Sequence, residues 1–490
     1  MLADMVGHVN FADGSAQEPT KVNIIRSTNS NVIAGYQEGI GVNKTFLEYL
    51  WDGATASTIG EECISVYQFI VEHYTADHDI WMFGLSRGAY TVRCIAGMIN
   101  NCGIIKRKGL STSEISTLCQ EIYRTYRSPL DIDHPTSDRC SKLRKDETRV
   151  WPDPRPIRFM GLFDTVGSLG IPRINAGVGF DWPEFYDQRV SSVVQDVYHA
   201  VSLHDRLWAF QPCLAYESTG SVEVKNGDVE TKNGNMENGY MENGNTEAKN
   251  GIVEANIGNA KANIHQKWFP GTHYDLGRQT FRFVRQAPSN EIERLLGALP
   301  DRLSRTIYPN QVLSDVVLRW ILQSVQTVSK TSTPIIPDVE GKIRDINARL
   351  ASPPKGSTGS GDIYGNALDY GPAGTIFSAL QKFGSKTIAL LNMVWPQLGD
   401  NIQDLLGIKT ILRILTAVRD RRIPGNDAVV FNYKVERVPG KGMAEANTVE
   451  VQANIAGKGE DGAERYPSRT LESHEVWERV FGERSEIKVT

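Results

Sequence analysis

Apolar and polar residues between positions 59 and 99 follow the periodicities of a chain that alternates helices and strands. From 59 to 74, apolar side chains recur at steps of three and four residues, which predicts an amphipathic helix. The run 80–83 (IWMF) is short and wholly apolar, as is typical of a strand buried in a parallel sheet. Glycines bracket residues 84–88, and helical spacing resumes from 89 to 99. The pattern therefore predicts a helix, a buried strand and a second helix that follows a sharp turn.

Three further segments carry strand-like apolar runs, and each ends in a turn that contains aspartate, histidine or glycine. They are Ile157–Phe163, Tyr198–Leu203 and Trp268–Phe269. Strands that alternate with helices, with polar side chains just past the strand ends, favour a mostly parallel sheet. We therefore predict an α/β fold with a doubly wound, mostly parallel sheet.

The domain organisation follows from a change of pattern near residue 290. Residues 1–290 contain the alternating strands and helices and are predicted to form the catalytic domain. Within them, 218–263 repeats Asn-Gly among charged residues and buries too little apolar surface to fold, so it is predicted to be a disordered insertion. Residues 291–490 are predicted to be a helical extension or cap with flexible Gly-rich segments, because helical spacing recurs at 292–299 and 312–325.

Composition removes several classes of function. The net charge of −5 and the pI near 6.1 give no basic surface for nucleic acid. Six cysteines without a close pair indicate reduced thiols, and residues 1–8 lack the features of a signal peptide, so we expect a cytoplasmic protein. The most apolar stretch, 387–398, is too short for a transmembrane helix. Apolar stretches at 390–398 and 405–415 are compatible with a lid or with peripheral membrane contact; the sequence leaves the oligomeric state open.

Gly84-Leu85-Ser86-Arg87-Gly88 matches G-x-S-x-G, the nucleophile elbow. In this motif a serine hydroxyl stands at the apex of a strand-to-helix turn, and small residues on either side let strand and helix approach each other. The turn also directs the backbone N–H of Arg87 at the oxyanion that forms during attack on a carbonyl. The apolar strand before the motif and the amphipathic helix after it supply the context that the motif requires, so Ser86 is the predicted nucleophile.

A serine nucleophile requires a base and an acid, in the chain order serine, acid, histidine for this motif. His273 lies in a tight loop after a predicted strand and is the preferred base, with His204 as the main competitor. Asp164 follows the strand Ile157–Phe163 and is the preferred acid, with Asp205 as the alternative. No group of His, Cys and carboxylates has metal-ligand spacing, so the sequence predicts neither a metal nor another cofactor.

These residues sit in sequence blocks that resemble the α/β hydrolases typified by the catalytic domain of type VI secretion phospholipase effectors. The resemblance implies an α/β-hydrolase fold, a Ser86, Asp164 and His273 triad, and hydrolysis of an acyl ester, with phospholipase activity in the secreted bacterial branch. The blocks are YQEGIGV (36–42), GLSRGAYTVR (84–93), IAGMINNCGII (95–105), RFMGLFDTVGSLGIP (158–172), VYHAVSLHDRLWAFQP (197–212), KWFPGTHYDLG (267–277) and LSDVVLRWIL (313–322).

The chain departs from this family pattern in two places. Members usually open with an apolar strand that ends in Asp-Gly-Thr and shapes the oxyanion pocket, whereas here 1–10 is a poor strand and Asp13-Gly14-Ser15 is the nearest match. After His273 the family tends to carry several glycines, whereas this chain has Arg278. The main hypothesis is therefore a serine hydrolase acting on a small-molecule or lipid ester. The alternative is a catalytically inactive hydrolase scaffold that binds a ligand or partner.

Overall fold

A computed structural model of the chain describes the larger part of the predicted catalytic domain and parts of the C-terminal region. The described residues are 1–10, 21–39, 57–167, 190–202, 205, 212–215, 261–269, 271–279, 281–282, 306–307, 309, 311–329, 334–352, 421 and 429–430. Several sequence predictions fall on residues outside these ranges and stay predictions: Asp13–Ser15, His204, all but the last three residues of the insertion 218–263, the helix at 292–299 and the apolar stretches 390–398 and 405–415.

The N-terminal residues form a small antiparallel sheet. A short helix α1 (Leu2–Val6) leads into β1 (Gly7–Val9). This strand pairs antiparallel with β2 (Asn23–Ser27), which in turn pairs antiparallel with β3 (Ala34–Tyr36). Only three of the first ten residues are in a strand, as their weak strand pattern indicated.

The chain then alternates helices and strands. The elements are α2 (Ser57–His73), β4 (Ile80–Leu85), α3 (Arg87–Cys102), α4 (Thr112–Arg127), a 3₁₀ turn (Asp131–Asp133), α5 (Asp138–Lys145), β5 (Ile157–Phe163), β6 (Val194–Ser202), β7 (Asn263–Phe269) and α6 (His273–Gly277). The C-terminal region adds β8 (Phe281–Arg282), β9 (Thr306–Ile307), α7 (Gln311–Val328), α8 (Val339–Ala351) and β10 (Val429–Val430).

Five of these strands form one sheet in the order β10-β7-β6-β5-β4, and each neighbouring pair is parallel. The mixed α/β architecture with a parallel sheet confirms that part of the predicted fold class. The bounds of β5 agree with the prediction, but β6 and β7 begin four and five residues earlier than predicted. The strand residues that the prediction missed include polar ones such as Gln195 and Gln266, which obscured the strand pattern.

Helices cover both faces of the sheet. On β5, Met160 and Leu162 belong to the hydrophobic core beneath α2, α3 and α4, whereas Phe159 and Phe163 belong to the core that includes α7 and α8. Burial on both faces explains why β5 reads as a continuous apolar run. Helix α7 packs against β5, β6 and α6. The division of the chain at residue 290 stays a prediction.

Two expectations from the sequence concern membrane-spanning helices and disulfides. None of the described helices combines the length and the apolar character needed to cross a lipid bilayer. All six cysteines are described, and none of them forms a disulfide.

Candidate active site

The predicted site residues lie where neighbouring parallel strands end. Ser86 follows β4, Asp164 follows β5, and His273 is the first residue of α6, shortly after the end of β7. Since the carboxyl ends of parallel strands meet at one edge of a sheet, these residues converge there. All three side chains are buried.

Ser86 stands at a sharp, strained turn between β4 and α3. Its φ of 58° and ψ of −121° lie in a region that residues other than glycine rarely adopt, and such strain clusters at functional sites. A Cβ on Gly84 would lie 2.4 Å from the carbonyl oxygen of Gly88, so the strand and the helix can approach only because residue 84 has no side chain. A Cβ on Gly88 itself would meet open space.

Backbone contacts fix the Ser86 turn beside the end of β5 and beside α6. The Ser86 N–H donates to the Phe163 carbonyl at 2.9 Å, and the Val166 N–H donates to the Ser86 carbonyl at 3.3 Å. A Cβ on Gly277 would lie 2.6 Å from Leu85 Cδ2, so the last residue of α6 packs directly on the residue before the serine. The serine turn, the end of β5 and the histidine helix therefore form one compact unit.

Asp164 and His273 form a buried hydrogen-bonded pair. His273 Nδ1 lies 2.7 Å from Asp164 Oδ2, and both side chains are at most 1% exposed. Burial raises the pKa of Asp164, but the charge of Arg421 and the hydrogen bonds from His273 and Arg421 outweigh burial and hold that pKa below its ordinary value. The ionised carboxylate accepts a hydrogen bond from Nδ1–H, so the neutral imidazole carries its basic lone pair on Nε2. This is the tautomer that a general base requires.

Asp205, the alternative acid, contacts the same histidine at another atom. Its Oδ2 accepts a hydrogen bond of 2.9 Å from the backbone N–H of His273. Burial raises the pKa of Asp205, and the charge of Arg421 opposes that rise. One carboxylate thus contacts the imidazole ring, and the other contacts the backbone that carries it.

Arg421 is a site residue that sequence reasoning missed. Its side chain is fully buried and forms a bidentate ion pair with Asp164, with Nη1 2.7 Å from Oδ1 and Nη2 2.9 Å from Oδ2. Nη1 also donates to the Ser202 carbonyl at 2.5 Å. The sequence around it, AVRDRRIPG, contains two other arginines and no motif, so no local signal distinguished Arg421.

His199 contacts Thr165, next to the site, but serves as a structural residue. Its Nε2 accepts from the Thr165 N–H at 3.2 Å, and its Nδ1 lies 2.9 Å from Gln266 Oε1, which also accepts from the Ala215 N–H. Burial, with the charge of Arg93 adding to it, lowers the pKa of His199 to about 3. A neutral histidine with both ring nitrogens in hydrogen bonds is a structural residue of the core.

Side chains hold the loop that carries His273 in place. Asp275 Oδ2 accepts from the Thr272 N–H at 2.7 Å and from the Thr272 hydroxyl at 3.0 Å, which caps the start of α6. Arg278 ends the helix in a left-handed conformation, with φ of 51°. Its guanidinium donates to Gln311 Oε1 at 3.0 Å and lies 3.6 Å from Asp315, so it ties α6 to α7.

Arg87 and the other predicted oxyanion residues are described in part. Arg87 is the first residue of α3, so its N–H lies in the helical turn that favours negative charge. Asp13, Gly14 and Ser15 lie outside the described residues. Within the described part of the chain, no group of three or more His, Cys, Asp or Glu side chains is arranged to hold a metal ion.

Glu62, on α2, is a buried glutamate that contacts Thr91, one helical turn after Arg87 on α3. Glu62 Oε2 and the Arg87 carbonyl each lie 3.1 Å from the Thr91 hydroxyl, which has only one hydrogen to donate. Burial raises the pKa of Glu62 to about 7, although the Thr91 hydrogen bond and the charge of Arg87 oppose it. A protonated Glu62 can donate to Thr91, which then donates to the Arg87 carbonyl.

Replacing Glu62 with glutamine is expected to reduce the dependence of stability on pH. The unfolded chain ionises Glu62 near pH 4.5, but the folded protein keeps it protonated up to about pH 7. Its contribution is therefore fully present below pH 4.5 and is lost as the pH rises through 7, a change of about 3 kcal/mol in the free energy of unfolding. Urea unfolding at pH 4.5 and 7.5 measures this change.

The matched control is Glu61→Gln, because Glu61 is the exposed neighbour on the same helix. It is expected to keep the pH dependence of the wild type, whereas Glu62→Gln is expected to lose about 3 kcal/mol of it. The same pH dependence in wild type and Glu62→Gln would show that Glu62 does not titrate in this window.

Comparisons with known proteins agree with the resemblance noted in the sequence. The family model described as "T6SS, Phospholipase effector Tle1-like, catalytic domain" matches residues 12–324. Among curated proteins, the uncharacterized protein YEL023C of Saccharomyces cerevisiae (strain ATCC 204508 / S288c) is 30% identical over 199 residues. That alignment covers 37% of this chain and 27% of the yeast protein. No solved structure matches the chain.

The family match includes Ser86, Asp164 and His273 and ends within α7. It confirms the family suspected from the sequence blocks and suggests hydrolysis of a lipid ester. Because the family model matches more than half of the chain, this protein belongs to the T6SS phospholipase effector Tle1-like catalytic domain family.

Proposed function

We propose that this protein is a serine hydrolase of the α/β-hydrolase type that cleaves a carboxylic ester of a lipid. The observation that carries the proposal is the buried Asp164–His273 pair, 2.7 Å apart, at the sheet edge where the strained Ser86 turn lies. A nucleophile, a base and an orienting acid in that arrangement form the constellation of serine hydrolases. The lipid substrate class is supported by the match to a phospholipase effector family.

In the proposed mechanism, Ser86 Oγ attacks the ester carbonyl carbon while its proton passes to His273 Nε2. Asp164 stabilises the imidazolium through its hydrogen bond to Nδ1. The tetrahedral oxyanion accepts a hydrogen bond from the Arg87 N–H, with Asp13–Ser15 as the second wall of the pocket. His273 then protonates the departing alcohol, and water hydrolyses the acyl-enzyme by the same steps.

The geometry favours Asp164 over Asp205 as the catalytic acid. The Asp164 carboxylate contacts the imidazole ring nitrogen, whereas the Asp205 carboxylate contacts the backbone N–H of His273. Only the first contact can select the ring tautomer and stabilise the charge that develops on the ring. Asp205 instead holds the histidine loop at the sheet edge.

The domain organisation is part of the proposal. Residues 1–290 would supply the serine, the base and the acid, and residues 291–490 would pack on this unit as an extension. The contact of α7 with β5, β6 and α6 supports such packing. The alignment covers 27% of the yeast protein, so the proposed activity refers to this chain and not to the yeast protein.

Covalent labelling tests this function before the substrate is identified. The full chain is incubated with a fluorophosphonate probe, digested, and analysed by peptide mass spectrometry. We expect one adduct, on Ser86, because only an activated serine reacts with the probe. The matched control is the same protein unfolded in urea, in which the Asp164–His273 pair is broken and Ser86 is expected not to react.

An active enzyme is also expected to release fatty acid from phospholipid vesicles. A folded protein that takes no probe on Ser86 would contradict the enzyme hypothesis and favour a hydrolase scaffold that binds a ligand or partner. Labelling spread over several surface serines, and unchanged by urea, would contradict it equally, because such labelling needs no activated nucleophile.

A further inference from the structure

Arg421 occupies a position that the proposed triad does not explain. It lies 257 residues beyond Asp164 and outside the matched region 12–324, yet its side chain is fully buried against the Asp164 carboxylate. A buried bidentate arginine–carboxylate pair is rigid, since the planar guanidinium fork presents two parallel N–H donors. The catalytic acid is therefore held by a part of the chain that the family match does not include.

Among the residues that the structure describes, the Asp164 carboxylate receives four hydrogen bonds, and two of them come from Arg421. Oδ1 accepts from Arg421 Nη1 at 2.7 Å and from the Ser202 N–H at 2.8 Å. Oδ2 accepts from Arg421 Nη2 at 2.9 Å and from His273 Nδ1 at 2.7 Å. Donors on both oxygens fix the plane of the carboxylate, so Oδ2 points at the imidazole.

Arg421 is itself fixed by a neighbouring strand. Its Nη1 donates to the carbonyl of Ser202, the last residue of β6. The Ser202 hydroxyl donates to the Gly271 carbonyl at 2.9 Å, at the start of the loop that carries His273. The arginine thus connects the acid after β5, the end of β6 and, through Ser202, the histidine loop.

Charge gives Arg421 a second role. A carboxylate at 0% exposure needs a counter-charge, because burial alone favours its protonated form. Protonated Asp164 would accept the Nδ1–H hydrogen bond poorly and would not stabilise the imidazolium. The guanidinium supplies the missing charge at both carboxylate oxygens.

We propose that Arg421 is a positioning residue for the catalytic acid: its guanidinium holds the Asp164 carboxylate ionised and oriented toward His273 Nδ1. This inference rests on the proposed function, in which Asp164 is the acid of a serine hydrolase. Arg421 has no contact with the substrate in this role and acts through Asp164.

The test compares Arg421→Ala with wild type by the rate of fluorophosphonate labelling and by kcat and KM for p-nitrophenyl butyrate. We expect labelling rate and kcat to fall on the order of 100-fold, with little change in KM, because geometry and not binding is lost. Millimolar guanidinium chloride is expected to restore at least about a tenth of the lost rate, and equal sodium chloride is expected not to.

Two further variants keep the test decisive if Arg421→Ala folds poorly. Arg421→Lys keeps the charge without the fork and is expected to retain an intermediate rate. The double variant Asp164→Asn with Arg421→Met removes both charges of this pair, and it is expected to react no more slowly than Asp164→Asn alone. Arg349→Ala is the matched control, because it breaks a bidentate pair with Asp315 that does not touch Asp164.

The outcomes separate this inference from the proposed function. Absent labelling of wild-type Ser86 would overturn the proposed function itself. Normal wild-type labelling, together with wild-type rates in Arg421→Ala, would overturn only the inference about Arg421. Multiplicative losses in the double variant, or loss of rate that guanidinium and Arg421→Lys do not relieve, would overturn it as well and assign Arg421 a role in folding only.

Discussion

Replacing Ser86 with alanine is expected to lower kcat on p-nitrophenyl butyrate and on phospholipid vesicles by a factor on the order of 10⁶. Ser86 Oγ is the atom that becomes acylated in the proposed mechanism. Without it, only oxyanion stabilisation and substrate binding contribute to catalysis. The same variant is expected to take no fluorophosphonate. Alanine also suits the site sterically, because Ser86 is buried and its backbone hydrogen bonds to Phe163 and Val166 involve no side-chain atom.

Two controls separate chemistry from folding in this experiment. Ser113→Ala removes an exposed serine on α4 and is expected to leave kcat at the wild-type value. The double variant Ser86→Ala with His273→Ala is expected to be no slower than Ser86→Ala alone, since the residues of a triad act as a unit. A kcat of Ser86→Ala within tenfold of the wild-type value would exclude Ser86 as the nucleophile.

Replacing Asp164 with asparagine is expected to lower kcat on the order of 10⁴-fold. Asparagine fits the volume of the site but can present an N–H to His273 Nδ1, which selects the tautomer with its proton on Nε2. That tautomer cannot accept the serine proton. The substitution also removes the charge that faces Arg421 at 2.7 Å and 2.9 Å, so some loss of thermal stability is expected beside the loss of rate.

The comparison with Asp205→Asn decides between the two candidate acids. The Asp205 carboxylate accepts a hydrogen bond from the backbone N–H of His273, whereas Asp164 is hydrogen-bonded to ring nitrogen Nδ1. Asp205→Asn is therefore expected to lose far less activity than Asp164→Asn. Asp131→Asn, at an exposed aspartate of the 3₁₀ turn, is expected to be neutral in kcat. A greater loss in Asp205→Asn than in Asp164→Asn would reverse the assignment.

Local sequence patterns were sufficient to predict β4, β5 and α3 at the site, but not α6, since His273 was expected in a loop. The apolar runs of β4 and β5 contribute to the cores on both faces of the sheet, and the glycines around Ser86 mark a turn that the chain could make in few other ways. The polar starts of β6 and β7 concealed four and five residues of strand. In those strands polar residues such as Asp196 and Gln266 meet specific partners across the sheet, which a hydrophobicity pattern cannot reveal.

The parts of the site that the sequence did not predict depend on contacts between distant residues. Asp205 and Asp164 both follow strands, so only coordinates distinguish the acid on the ring from the acid on the backbone. No sequence pattern surrounds Arg421, because only the tertiary fold brings its partner Asp164 next to it. Glu62 reads as an ordinary helical glutamate beside Glu61, although its side chain is buried and its neighbour's is exposed.

The distance in sequence between Asp164 and Arg421 has a consequence for biosynthesis. The ribosome synthesises Arg421 257 residues after Asp164, an interval of roughly 13 to 50 seconds at ordinary rates of translation. Until then the nascent chain can form the strands and helices around Ser86, but the acid lacks its counter-charge. The nascent domain would therefore acquire the geometry of the proposed triad only after residue 421 has been synthesised, and chains released before residue 421 would fold into a catalytically incomplete product.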